Sequence, residues 1–338
     1  MVQLSVLDQS TVARGHGHDE AIRETLRMAA HCERLGYRRF WMSEHHNIAS
    51  IAGSAPEVLA AAVAAGTRHI RVGTAGVLLP NYSPFKVAEQ FRVLEAIAPG
   101  RIDMGLGRAP GGDRRTASAL NPDVGVAAQH FPEHVRDLLA WVTGTPLPEG
   151  HPLADIRVMP ETPSAPQPWM LGSSTGGARI AAQLGLPYCF AHFITDGRGA
   201  DEALDLYRHF YRPSERFPEP HAAVCVWALT AEDEDRAWEL YKTRERAWLN
   251  RYQGIFHPLL PPEAVDPERY SAQERHAAEA LRGEVYVGTP RRLGGRLRAL
   301  ADELAVDELV ILTWTYDFES RCRSYELLAH EFGLEPRS

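Results

Sequence analysis

The sequence predicts an α/β protein, a (β/α)8 TIM barrel with loop insertions, and three observations predict it. Eight short apolar runs alternate with stretches of helical period, as parallel strands joined by helical crossovers require. The run Phe40-Trp41-Met42 stops abruptly at Ser43-Glu44-His45-His46-Asn47, as a buried parallel strand does when it delivers polar side chains to a pocket rim. The chain's 338 residues, 44% hydrophobic, can bury one large core, and barrels exceed the usual length of a single domain.

In chain order the strands are expected at residues 4–8, 39–43, 70–80, 101–107, 168–171, 188–192, 222–229 and 308–313. Residues 20–35 place Ile22, Leu26, Ala29 and Ala30 on one helical face, and Gly36 ends that helix. Further helices are expected at 57–65, 84–97, 131–142, 178–184, 202–211, 233–252, 290–301 and 320–332. Pro84 suits a first turn. Gly288-Thr289-Pro290 reads as a turn into a helix. Three stretches lack a clear period and read as insertions, about 111–125, 144–167 and 256–282. The whole of 1–338 is expected to form one barrel domain.

Composition narrows the function. A formal net charge of −8 gives no reason to expect nucleic acid or an anionic membrane as partner. No run reaches the roughly 18 apolar residues of a membrane span. The first residues lack the layout of a signal peptide, so a cytoplasmic protein is expected. Cys32, Cys189, Cys225 and Cys322 are scattered singly, with no zinc or redox spacing, and are expected to be reduced packing residues.

Four motifs carry candidate chemistry. Glu44-His45-His46 offers a carboxylate and two imidazoles. Adjacent strand residues point to opposite faces, and no second histidine pair completes a site, so no metal is expected and one histidine is read as a proton handler. The plain alternative is a structural hydrogen bond. Gly105-Leu106-Gly107-Arg108-Ala109-Pro110 starts like a dinucleotide fingerprint, but Pro110 holds the third glycine's place and no helix begins there. What remains is a strand end with small residues and Arg108, suited to an anion or to a tight corner. Gly172-Ser173-Ser174-Thr175-Gly176-Gly177 joins a strand to a helix without a Walker lysine. Its hydroxyls and free N–H groups fit a phosphate or an ordinary cap. Thr74-Ala75-Gly76 leaves room for a planar ring or for larger packing neighbours. Ser10, Ser43 and Ser118 lack the context of a serine hydrolase.

In order along the chain, Glu44-His45-His46, Arg71-Val72-Gly73-Thr74-Ala75-Gly76-Val77-Leu78-Leu79-Pro80, Pro84 with Ala88-Glu89, Pro99-Gly100-Arg101, Gly105-Leu106-Gly107-Arg108-Ala109-Pro110-Gly111, Val287-Gly288-Thr289-Pro290 and Ser324-Tyr325-Glu326-Leu327-Leu328 resemble the bacterial luciferase-like monooxygenases. The resemblance covers nearly the whole chain. It implies a (β/α)8 barrel that binds FMN, reduced by a separate flavin reductase, and uses O2 to oxygenate a small organic substrate. It implies catalytic His45 beside Glu44 and a non-proline cis peptide at Ala75-Gly76 under the flavin ring. Gly107 falls beside the flavin, Arg108 on its phosphate, and the phosphate hydroxyls on Ser173, Ser174 or Thr175. It also implies a homodimer formed through helices near the early strands.

Two positions depart from luciferase itself. Its flavin-side cysteine is Gly107 here, and its glutamate before the phosphate serine is Gly172 or Ser173. Light emission is therefore not expected; the pattern is similar to the broader oxidoreductase branch, some members of which use the deazaflavin F420. Trp41, His192 and Trp314 are candidates for the substrate wall. A non-catalytic flavin-binding protein and a metal-dependent hydrolase using His45 and His46 are the competing classes.

Overall fold

The eight expected apolar runs become the staves of one closed parallel barrel in a computed structural model, which describes residues 2–109 and 111–337. Pro110, which decided against the dinucleotide reading, lies outside the described residues, as do Met1 and Ser338. The strands are β1 (Gln3–Asp8), β2 (Arg39–Met42), β3 (Arg71–Thr74), β4 (Val77–Leu78), β5 (Ile102–Gly107), β6 (Gln167–Gly172), β7 (Tyr188–Ala191), β8 (Ala222–Thr230), β9 (Tyr286–Gly288) and β10 (Glu308–Leu312). β3 and β4 are two halves of one stave, both paired with β5. The ring closes where β10 pairs with β8 on one side (Val310 opposite Cys225) and with β1 on the other (Leu4 opposite Leu309).

Close approach between staves constrains residue choice. A Cβ on Gly105 would lie 2.0 Å from the Thr74 carbonyl oxygen, and one on Gly73 would lie 2.3 Å from that of Asp103. Glycine is the residue that lets β3 and β5 meet there.

The N-terminal end of the barrel is plugged by charge. Arg39, Asp103 and Glu308 have fully buried side chains. Arg39 Nε donates to Glu308 (2.8 Å) and Nη1 to Asp103 (2.9 Å). Arg71 Nη2 and the Trp41 indole N–H also donate to Asp103, at 2.6 and 2.9 Å. Burial pushes the Glu308 carboxyl up, but Arg39, with help from His221, Ser5 and Arg38, outweighs it and holds the pKa at about 2.

The structure corrects three readings. Residues 111–125 are not a loop. Asp113 accepts from the backbone N–H groups of Arg115 and Thr116 and starts a helix at Arg114–Leu120, followed by another at Val124–Gln129. The 256–282 stretch ends in a helix, Ala272–Glu284, opened by a reciprocal capping box of Ser271 and Glu274. The segment before Thr289 is more than a turn: Tyr286 and Val287 pair with Ala228 and Leu229, so β9 lies parallel beside the C-terminal end of β8. Three residues are too few to display a period. Cys32, Cys189, Cys225 and Cys322 are free thiols. No helix among the described residues is long and apolar enough to cross a membrane.

Candidate active site

The C-terminal ends of the staves gather the polar residues, the side of such barrels that carries active sites. At the end of β2 the chain turns, with the His45 N–H donating to Gly53 O and the His46 N–H to Gly111 O. Alternation then separates neighbours. The Glu44 carboxylate is fully buried and accepts three hydrogen bonds, from His46 Nε2 (2.7 Å), Tyr82 OH (2.8 Å) and the Leu78 N–H (2.9 Å). Held in this way, the Glu44 carboxylate ties the end of β2 to Leu78 of β4 and to Tyr82, and orients His46. His46 turns toward Glu44, while His45 turns toward Ser43.

His45 takes the other direction. Its Nδ1 lies 3.1 Å from the Ser43 hydroxyl. Burial, with smaller contributions from Arg251 and His46, lowers its pKa from 6.5 to about 4, so the ring is neutral at pH 7. His192, at the end of β7, packs edge-on against Tyr286 at 5.8 Å, and burial lowers its pKa to about 4 as well. Both histidines thus resist protonation when folded and accept it when unfolded. The sign follows: between pH 6.5 and 4 the unfolded chain holds more protons, so stability falls with pH, by up to about 1.4 kcal/mol per unit for each ring. Urea midpoints at pH 7.5, 6.5, 5.5 and 4.5 are expected to decline, less steeply in a His45→Asn/His192→Asn variant; an equal decline in both proteins would contradict the assignment.

The Ala75–Gly76 peptide, between β3 and β4, is cis. A Cβ on Gly76 would come within 2.7 Å of Gly105 O and Leu171 Cδ1, so the residue has to be glycine. Gly107 ends β5 with its Cα side facing Leu78, and Arg108 follows, exposed and with no hydrogen bond or ion pair among the described residues. β6 ends at Gly172, and Ser173 leads into Ser174, which caps the helix Thr175–Leu184 by position while its side chain makes no cap bond. Tyr188 OH donates to Ser174 O at 3.3 Å and pins that turn.

Of the wall candidates, His192 and Trp314 keep partial exposure; the Trp314 indole N–H donates to Gln9 Oε1 at 3.0 Å. Trp41 does not belong to the wall. It is 1% exposed, lies edge-on to Trp169 at 5.1 Å and bonds Asp103, inside the barrel. Sequence proximity to Ser43 misplaced it, because its side chain points inward one layer below the rim.

One residue escaped the sequence reading. The charged helix Glu234–Tyr252 buries Ala237, Leu240, Tyr241 and Arg244, spaced three, four and seven apart. Arg244 occupies the apolar stripe, and that spacing was the available signal. Its guanidinium stacks 4.9 Å from the ring of Trp227 on β8 and 5.9 Å from that of Trp314. Among the described residues, no group of three or more His, Cys, Asp or Glu side chains could hold a metal ion.

The family model for luciferase-like monooxygenases matches residues 2–308. The chain belongs to that family. Among similar proteins, YwcH of Bacillus subtilis is 41% identical, over 98% of this chain and 100% of its own. N-acetyl-S-alkylcysteine monooxygenase of Bacillus subtilis is 34% identical, over 97% and 98%. The crystal structure of apo-MsnO8 superposes on this luciferase-like chain with a TM-score of 0.87 at 35% identity, over 99% of each chain. Farther away are the oxygenase component of the flavin-dependent trigonelline monooxygenase of Acinetobacter baylyi (24% identical over 91% of this chain and 88% of that protein) and an F420-dependent secondary alcohol dehydrogenase, which at 15% identity and a TM-score of 0.70 shares the fold.

Proposed function

We propose that this chain is the oxygenase of a two-component, flavin-dependent monooxygenase: it takes reduced FMN from a separate reductase and uses O2 to oxygenate a small organic substrate. One observation carries the reading. A Cβ placed on Gly176 would lie 3.7 Å from Ser174 Oγ and 3.8 Å from Arg108 Nη2. A hydroxyl without a cap bond, a guanidinium without a partner and the first N–H groups of a ten-residue helix thus converge on one small space. That donor set fits a phosphate dianion. Residues Ser173 and Thr175 flank it.

Reduced FMN, when bound, supplies the electrons that activate O2. The chain's own residues do the rest. Arg108 and Ser174 fix the phosphate end. Ala75 and Gly76, with Gly107 on the next stave, present a surface low enough for a flat ring. His45, neutral and partly buried at the mouth, can take a proton at Nε2 and later return it while Ser43 steadies Nδ1. The relatives acting on N-acetyl-S-alkylcysteine and on trigonelline support a small organic substrate, and the latter's description as an oxygenase component supports a reductase partner. The expected homodimer would use the helices Pro56–Gly66 and Pro84–Ile97, where Val58, Val93 and Ile97 stand exposed.

Titration with FMN, reduced FMN and F420, followed by fluorescence and anaerobic difference spectra, tests the cofactor. Tightest binding is expected for reduced FMN, and tighter binding of F420 would replace the proposal with an F420-dependent oxidoreductase. Flavin binding with no product from any substrate under O2 would leave a flavin-binding protein instead. Arg108→Ala is expected to weaken FMN binding about tenfold or more, the worth of a hydrogen bond to a charged group. Unchanged affinity would remove Arg108 from the phosphate site.

A further inference from the structure

Four arginines among the described residues are buried, and three of them are paired. Arg39 has Asp103 and Glu308, Arg92 donates to the Val142 and Pro160 carbonyls, and Arg321 has Asp8 and Glu24. Arg244, 4% exposed, has no hydrogen bond and no acidic oxygen within 4.0 Å among the described residues. Its neighbours on the same helix are matched: Glu245 with Arg282 and Arg246 with Glu274. Nη1 is wholly buried without an acceptor. The charged and titratable groups that act on it are Asp196, at the end of the short helix after β7, and Tyr241 and Arg251 on its own helix.

The two indoles explain how the group is held but not why it is charged. The guanidinium lies against the ring of Trp227 and, farther off, that of Trp314, and cation–π attraction offsets part of its desolvation. Nη1 is left unmet. A buried charge without a partner is costly, and a fold keeps one where a ligand completes it. The location agrees. Trp227 and Trp314 belong to the C-terminal mouth, and Arg251, about two turns farther along the helix, is near enough to His45 to depress its pKa.

We infer that Arg244 is the substrate-orienting residue of this site, receiving a carboxylate on the organic substrate edge-on between Trp227 and Trp314. The inference rests on the monooxygenase reading and adds the substrate class, an organic acid. A guanidinium beside two indoles presents its N–H groups in a plane that matches a carboxylate's two oxygens. A neutral substrate would leave Nη1 buried and unmet.

The test uses the full-length protein and two acid–amide pairs, benzoate with benzamide and hexanoate with hexanamide, by isothermal titration. At least one acid is expected to bind wild type while its amide does not. In Arg244→Met, binding of that acid is expected to weaken at least about thirtyfold. Arg244→Lys should keep part of it, and Arg108→Ala should keep it in full, which separates this site from the phosphate cradle. Thermal unfolding supplies a second readout: removing an unpaired buried charge should leave the melting temperature of Arg244→Met at or above wild type. Failure of both acids to bind, equal binding of acid and amide, retained affinity in Arg244→Met, or a marked fall in its melting temperature would each overturn the inference. FMN titration of the same samples separates the two readings. FMN binding without acid binding defeats the inference alone, and acid binding without FMN binding defeats the flavin reading alone.

Discussion

Replacing His45 with alanine is expected to lower the rate of product formation about 10²- to 10⁴-fold, the range of a positioned general acid or base, while FMN affinity stays the same. The expectation comes from three features of one side chain. It stands at the mouth where β2 ends. Its Nδ1 is steadied by Ser43, which leaves Nε2 for chemistry. Its pKa near 4 keeps the ring neutral through the working range, able both to donate and to accept. The pH profile checks the same point. Above about pH 5 no acid limb should be traceable to His45, since the ring has already lost its proton there. Single-turnover product analysis with reduced FMN, alongside an FMN titration, separates chemistry from binding. Full activity in His45→Ala would leave the protein with a flavin pocket whose proton handling lies elsewhere.

Arg39→Ala is expected to destabilise the fold by about 3–5 kcal/mol, the range for removing one partner of a buried ion pair. Arg39 joins β2 to β5 through Asp103 and to β10 through Glu308, so it ties staves on both sides of the barrel floor. Without it Asp103 retains Arg71 and Trp41, but Glu308 loses its principal counter-charge. The sign with pH follows from a depressed carboxyl pKa. In wild type this carboxylate adds stability above about pH 4.5, the ordinary glutamate range, and loses it as pH falls toward 2. In the variant Glu308 can take up a proton at higher pH, so the deficit should shrink on acidification. Urea midpoints for both proteins at pH 7 and pH 5 measure this, and an equal deficit at both values would mean that Glu308 does not depend on Arg39.

The floor and the mouth differ in how well the sequence exposes them. Apolar runs at 39–42, 102–107 and 308–312 declare their strands because parallel staves are buried on both faces. The same runs conceal Arg39, Asp103 and Glu308, which look like strand-edge charges and are fully buried. The helices at Arg114–Leu120 and Ala272–Glu284 went unread for a local reason: both are polar, and their start signals, Asp113 and Ser271 with Glu274, sit in segments that otherwise resemble loops. Trp41 lies inside the barrel and not on the pocket wall because nearness along a strand does not fix which layer a side chain enters.

Periodicity, strand-end composition and the ordered motifs determined by themselves the eight staves, their order and the family, because each is written in contiguous residues. They also pointed to Arg108 and to the run Ser173-Ser174-Thr175 as candidates, without choosing among the three hydroxyls. Alternation along the chain already sends His45 and His46 in opposite directions; only the tertiary structure supplied the partners of Glu44, since Tyr82 and Leu78, more than thirty residues on, claim its carboxylate. It alone singled out Arg244. A charged helix looks alike on every face until the barrel beneath it shows which face is covered, and the covering indoles come from positions 227 and 314.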